Sequence, residues 1–576
     1  MKTKLIVLIC LYLLLGNYNL HAQIANRFDV VITEIMADPT PVVGLPAYEY
    51  IEVRNRSTTI INLQGWRISD ATGTATINAI YNLKPDSSVV LCGTTAAPFL
   101  AAFGPTIAVT SFPSLDNDGE MLSLRSPQNR TIHAVNYSIN WHSNIIKKDG
   151  GWSLELKDIN RPCLGAANWT SSVAPLGGTI GATNSVNNLM VADVLPSIDK
   201  AIATDNVTIV LQFAEPVDST IAASITNYNI APALTILQAI PQAPLFNTVL
   251  LKLAGPMQPN QVYTITVNNI KNCSGGNIAP NSVVQTGLTQ AAILGDLIIN
   301  EILFDPKPNG TDYVELYNKS NKLINAKELF IANRNGAAVA SQKLVSINDA
   351  IIFPNTYYVI TEDKATMLRQ FVVQNPIAVS EIPTMPTFSA DKGVCVILNQ
   401  AGTILDEIAY LDNWHFALLS NKKGVSLERI NIGGITQNEN NWFSAAVSTN
   451  NPLSGGTPTY KNSQNYTQLS GNPIVINQKI FSPDGDGFDD ICTINYTLQQ
   501  TGLVGNIYIH DAQGRQVRHL VKNALLAQQG QFVWNGLSEQ NLKLPLGQYI
   551  IVTELFNTTG YKKQYKNVVA LARRGN

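Results

Sequence analysis

Glu301 and Asp305, followed by Asp312 and Glu315, stand within one short stretch, NEILFDPKPNGTDYVELYN at 300–318. Carboxylates paired at such spacing are how many hydrolases divide acid and base work between two side chains. Nearly the same wording occurs at 33–55, TEIMADPTPVVGLPAYEYIEVRN, with Glu34, Asp38 and Glu52. Catalysis would require a cleft, a second group at a set distance, and a reason for two identical sites. Alternation along VVITEIM places Glu34 on the face of Ile32 and Met36, and Glu301 on that of Ile299 and Leu303. A glutamate so placed is partly buried and needs a hydrogen-bond or charge partner. The expectation is a structural carboxylate with a single partner, and no catalytic residue.

The triplet Asn140-Trp141-His142 recurs as Asn413-Trp414-His415, but each copy offers one such histidine and His133 has no sequence counterpart. Zinc needs three or four ligands. The expectation is a tryptophan anchoring a core beside an exposed histidine. PDGDGFDD at 483–490 is the metal candidate: Asp484, Asp486, Asp489 and Asp490 lie close together, with glycines that permit tight turns, as calcium loops require. Position 12 counted from Asp484 is Asn495 where an EF-hand carries Glu, and an Asp/Gly turn accounts for the same residues. No cofactor other than calcium is suggested. HExxH, GxSxG and Walker A patterns are absent.

The elements that would hold these residues are short runs rich in Val, Ile, Thr and Tyr, such as YIEVRN, SVVLCG, VTIVLQF and QYIIVTEL, separated by Gly, Asn, Asp and Pro turns. That spacing predicts an all-β chain of tandem immunoglobulin-like β-sandwiches. PFLAAF (98–103) and KATMLRQF (364–371) can each form a turn or two of helix. The repeat extends far beyond the carboxylates. Tyr50 and Asn55 match Tyr313 and Asn318, Ser153-Leu154-Glu155 matches Ser426-Leu427-Glu428, and Asn168-Trp169 matches Asn441-Trp442. LGGTIGATNS (176–185) matches LSGGTPTYKNS (453–463). The chain's 576 residues exceed one core.

Lys2 and Lys4 before LIVLICLYLLLG, then NYNLHAQ, read as a secretory signal peptide over 1–22, too short to span a bilayer comfortably. No later stretch reads as a transmembrane segment. Loss of residues 1–22 removes two lysines and leaves 37 basic against 41 acidic residues, a net charge of −4. Nucleic acid, which needs a basic face, is therefore not an expected partner. Cys92, Cys163, Cys273, Cys395 and Cys492 then remain, odd in number and widely spaced. They show neither a disulfide framework nor a metal knuckle, and buried free thiols are expected.

The openings with Glu34 and Glu301, the Gln64-Gly65-Trp66 element of the first copy and the closing SLE, NW and GT residues resemble the lamin-tail domain. That family is an immunoglobulin-like sandwich found in nuclear lamins and in secreted bacterial proteins. The second copy lacks the GW pair, reading ELFI at 328–331. The resemblance implies lamin-tail domains at 27–185 and 294–463. Between them, 187–289 resembles a bacterial Ig-like domain of the S-layer-associated type. At 472–573, HDAQGRQV, WNG and LPLGQY resemble both the Ig-like domain of the flagellar hook-cap family and the C-terminal sorting domains of type IX secretion substrates.

Together these imply a non-catalytic protein, secreted or attached to the outer membrane at the cell surface. It would be structural or adhesive, exported by Sec and then type IX secretion, and it would meet that machinery through its C-terminal domain. Its expected ligand is an unidentified surface or extracellular protein or glycan. The alternatives are a polysaccharide- or DNA-binding module protein, or an accessory part of a secreted hydrolase system.

Overall fold

A computed structural model describes residues 25–572 apart from 188–190, 192–193, 418, 420, 448–451, 466–471 and 484–488. The chain is all-β, folded into immunoglobulin-like sandwiches. Two compact units divide it, one holding residues up to 257 and 263–286, the other 258–262 and 287 onward. The proposed signal peptide lies outside the described residues.

In the first unit, the repeat's first copy opens with Val30–Met36, which pairs on one side with Tyr50–Asn55 and on the other with Leu154–Leu156. Ser88–Gly93, Thr106–Val109 and Trp169–Ser171 complete a six-stranded sheet. Four further strands, 67–69, 74–76, 121–125 and 131–136, form the facing sheet. Between the sheets lie Val30, Ile32, Ile35, Ile51, Val53, Trp66, Leu124 and Trp169. Burial of such side chains contributes roughly 1.5–3 kcal/mol each. The edge strand Thr106–Val109 runs parallel to Ser88–Gly93, so the chain must cross over between them. The short helix Ala97–Leu100, with proline in its first turn, lies in that crossover.

The second unit repeats this plan. Leu297–Leu303 lies between Tyr313–Asn318 and Leu427–Arg429 in a six-stranded sheet. Val379–Glu381 again closes the edge in parallel. Here the crossover holds a longer helix, Lys364–Gln370, whose Asp363 side chain accepts from the Thr366 N–H as an N-cap. Trp169 and Trp442 are buried at matching places, while Trp141 and Trp414 are half-buried against the same cores.

The rest of the first unit is a sandwich of a four-stranded sheet (198–205, 208–213, 248–253, 236–241) and a three-stranded one (228–231, 263–267, 282–286). Arg27 joins it to the first copy. Its guanidinium donates to the carbonyls of Val217 (3.0 Å) and Leu245 (3.1 Å) and sits 4.4 Å from the Phe246 ring centre. The rest of the second unit is a sandwich of three strands facing five. It docks on the second copy through Phe416, Val504 and Leu525, with Leu419, Phe443 and Phe556 packed around them.

The cysteine expectation is corrected in part. Cys92, Cys395 and Cys492 are buried free thiols, but Cys163 and Cys273 form a disulfide between the first copy and the sandwich that follows it. The two partners are 110 residues apart and belong to different sandwiches. Only the docking of those sandwiches brings them together, so spacing along the chain could not reveal the pair. Thiol titration of the denatured, unreduced chain from residue 23 onward is expected to count three cysteines, rising to five after reduction. Five before reduction would refute the bridge.

Candidate functional site

Glu34 does not share a face with Ile32. A β-bulge between Ile32 and Glu34 inserts one residue into the alternation, and the same irregularity falls between Ile299 and Glu301. Beyond the bulge, Ile35 takes the core face, while Glu34 turns with Met36 to the outer face of the large sheet. There Glu34 stands directly across from Glu52 on one neighbouring strand and Glu155 on the other. Glu301, Glu315 and Glu428 form the same row in the second copy. All six glutamates are fully buried.

What buries them is the closing segment of each copy, which lies over the row as a strap. Thr179 donates its N–H to Glu34 Oε1 (2.9 Å), and its hydroxyl lies 3.1 Å from Glu34 Oε2 and 3.0 Å from Glu155 Oε1. The Gly181 N–H reaches Glu52 Oε2 at 2.6 Å, and Ser185 Oγ and the Val186 N–H reach Glu155 Oε2. From below, Tyr50 and Ser153 donate to Glu34 at 2.6 and 2.7 Å. The second copy repeats the set: Thr457 bridges Glu301 and Glu428, the Thr459 N–H binds Glu315, and Ser463 and Gln464 bind Glu428. Asn184 and Asn462 tie the far end of each strap to strand carbonyls. The glycine before each threonine is required by contact, because a Cβ on Gly178 or Gly456 would collide with the tyrosine hydroxyl bonded to the glutamate.

Burial raises the pKa of Glu34, Glu52, Glu301, Glu315 and Glu428, and neighbouring carboxylates raise several of them further. Glu52 is pushed to about 8 by burial and then by Glu34, and Glu428 to about 8 by burial and then by Glu301. Glu34, Glu301 and Glu315 are raised too, with burial the leading cause. The hydrogen bonds are consistent with this. A threonine hydroxyl has one proton, yet each of Thr179 and Thr457 lies within bonding distance of two carboxyl oxygens. The two contacts are either one shared proton or, where a carboxyl is protonated, a donated and an accepted bond.

Asp38, Asp305 and Asp312 take no part in the row. Asp38 accepts from Thr40 in the loop after the opening strand. Asp305 lies 3.8 Å from Lys423, and half-buried Asp312 is raised to about 7 by burial, then by Glu362 and Asp305. The spacing that resembled two acid pairs therefore separates into sealed glutamates and loop aspartates.

The NWH expectation is corrected at the histidines, which are not exposed, while the tryptophans do pack against the cores. His415 is buried and His142 half-buried, while the tryptophans beside them are only partly covered. Each histidine Nδ1 lies 2.9 Å from a serine hydroxyl, Ser171 or Ser444, which also accepts a backbone N–H from residue 143 or 416. The histidine and serine share one hydrogen bond at that contact, and burial holds both imidazoles near pKa 4. His133 has a spatial counterpart that sequence alignment hides. Its Nδ1 accepts the Ile32 N–H that the bulge exposes, at 3.0 Å; in the second copy Asp406 accepts the Ile299 N–H at 2.8 Å. Arg429, itself buried, pairs with Asp406 at 3.2 Å.

Of the calcium candidates, Asp484 and Asp486 lie outside the described residues. Asp489 is exposed, and its carbonyl accepts the Ser482 N–H at 2.8 Å. Asp490 is half-buried beside it. Among the described residues no group of three or more His, Cys, Asp or Glu side chains is arranged to hold a metal ion, the glutamate rows included.

Two segments, 23–138 and 289–412, match the family described as Lamin Tail Domain, so the chain carries two copies of that domain. In both copies the sheet continues beyond the matched segment, through the strands that carry Glu155 and Glu428. No curated protein matches the sequence. Among solved structures, the chain is similar to domains 1–6 of the surface layer protein SbsC, at 12% identity over 66% of this chain and 55% of that one, TM-score 0.16. It is also similar to a tetra-tandem repeat in the extending region of a large adhesion protein, at 10% identity over 95% and 99%, TM-score 0.13. Dimeric latent PorU from Porphyromonas gingivalis is similar at 7% identity over 71% and 35%, TM-score 0.15. The chain spans about half the length of the SbsC structures it matches, 44% of one and 55% of another.

A carboxyl whose pKa is raised by folding contributes its full stability below the unfolded value and loses it as pH rises through the folded one. For Glu52 and Glu428 that window runs from about 4.5 to about 8. The three histidines held low by burial, at about 4, act oppositely: their contribution is lost only as pH falls below the ordinary 6.5. Melting temperature is therefore expected to fall between neutral and mildly alkaline pH. Glu52→Gln with Glu428→Gln, which keeps the shape and removes the ionisation, should flatten that fall. An unchanged pH profile in the double variant would show that the rows are not its source.

Proposed function

We propose that the mature chain is a non-catalytic structural or adhesive protein, secreted or held at the cell surface, whose sandwiches act as spacers and docking surfaces. The observation that carries the non-catalytic reading is the sealing of all six glutamates: the carboxylates with the most catalytic spacing have no access to substrate. The disulfide between sandwiches supports export, because such bonds persist in oxidising compartments. The signal-like N-terminus points the same way. Among the described residues no helix is long and apolar enough to cross a membrane.

The C-terminal sandwich is proposed as the secretion address, on its resemblance to type IX sorting domains. Its last long strand, Lys562–Leu571, places Lys562, Lys563 and Lys566 at the surface. Deleting 472–573 is expected to leave the protein inside the cell envelope, and fusing that segment to a Sec-exported reporter should carry the reporter out. Fractionation checks both. A truncated protein that still reaches the outside would overturn the sorting role while leaving the structural reading intact.

A further inference from the structure

Within the second unit a cleft of about 700 Å3 opens between the strap of the second copy and the C-terminal sandwich. That volume lies in the range of small-ligand sites. Its walls are fixed relative to one another by the Phe416–Val504–Leu525 contact and by the Gln528 N–H bonded to Ser463 O at 2.8 Å. Much of the lining is aliphatic, and its polar part is rich in amides. Gln374, Asn465, Gln529 and Gln531 contribute four carboxamides that are exposed or half-buried, while the Asn462 amide is spent on the strap; among the described lining residues there is no carboxylate and one lysine.

A carboxamide carries donors and an acceptor on one planar group, which suits a pair of adjacent hydroxyls. Rings accompany the amides. Tyr460 and Phe532 are half-buried in the wall, and Phe532 stacks on Tyr496 with centroids 5.4 Å apart. Gly530 lies against the Tyr496 ring, where any Cβ would collide. Gln529 and Gln531 flank that glycine on the strand Gln529–Trp534, and both are exposed. In its sheet this strand is an edge, hydrogen-bonded to Cys492–Thr497.

We infer that this cleft binds a neutral polysaccharide. Amides would hold ring hydroxyls while Tyr460 and Phe532 cover the apolar face of a sugar. An anionic polymer such as nucleic acid would find a single lysine there to neutralise it. An extended peptide pairing with the strand edge would use backbone groups, which side-chain truncation leaves in place. The inference deepens the surface-protein reading by naming a ligand class, but it concerns binding by the purified chain, so its failure leaves that reading standing.

The test is native electrophoresis of the chain from residue 23 onward through gels containing dextran, mannan or hydroxyethyl cellulose, beside a non-binding reference protein. Retardation is expected in at least one polymer, and added salt should not abolish it. Gln529→Ala with Gln531→Ala, both at exposed positions, should weaken it about tenfold, as the loss of a few hydrogen bonds implies. Circular dichroism and melting would confirm that the variant is folded. No retardation in any of the three polymers would overturn the inference. So would retardation that the double variant retains, which would point instead to a peptide-like edge pairing or to another surface.

Discussion

A row of three buried glutamates, capped by a strap that supplies their hydrogen bonds, is the interaction on which each repeat depends. The large sheet has two apolar faces, and only one is covered by the facing sheet. The strap covers part of the other. A bare strap would have little reason to stay: it is irregular backbone, and its amides would otherwise bond to water. The glutamates give those amides acceptors in a place water does not reach. In return the strap's hydroxyls and N–H groups solvate carboxyls whose burial would otherwise be prohibitive. Neither side is stable without the other, which explains why the Glu residues, the Ser-Leu-Glu triplet and the Gly-Thr exit recur together.

The two copies show which parts of this arrangement are fixed by geometry and which are free. The threonine that bridges two carboxyls is the same in both, and so is the glycine pressed against the tyrosine hydroxyl. The third N–H of the strap comes from a residue with positive φ in each copy, Gly181 at +69° and Thr459 at +74°. The left-handed turn is retained even where a Cβ makes it costly, because only that turn aims the N–H at Glu52 or Glu315. The bulge amide is less constrained. A neutral imidazole accepts it in one copy and an ion-paired aspartate in the other, since any buried acceptor with its own support will do.

Much of the fold could be read from the sequence, and the failures share a cause. Runs such as YIEVRN and SVVLCG became strands because β-branched residues recur between turn residues, and KATMLRQF became a helix behind its Asp363 cap. The glutamates were recognisable as structural, but strict alternation put them on the wrong face. One inserted residue reverses every side chain beyond it, and no local residue type announces the bulge. Glu155 and Glu428 were visible as repeated letters, yet their place beside Glu34 and Glu301 depends on strand pairing across about 120 residues. The disulfide and the NWH histidines were missed for the same reason: their partners, Cys273, Ser171 and Ser444, are near only in space.

Native-state amide exchange at the strap tests this account most directly. Thr179, Gly181 and Val186, with Thr457, Thr459 and Gln464, donate their N–H groups to buried carboxyls although they lie outside the sheets. If the carboxyl rows hold the straps down, these six amides exchange as slowly as those of the strands beneath them, in both copies. Exchange at the rate of open surface loops would mean that the straps are only resting on the sheets, and that the glutamates are buried for some other reason.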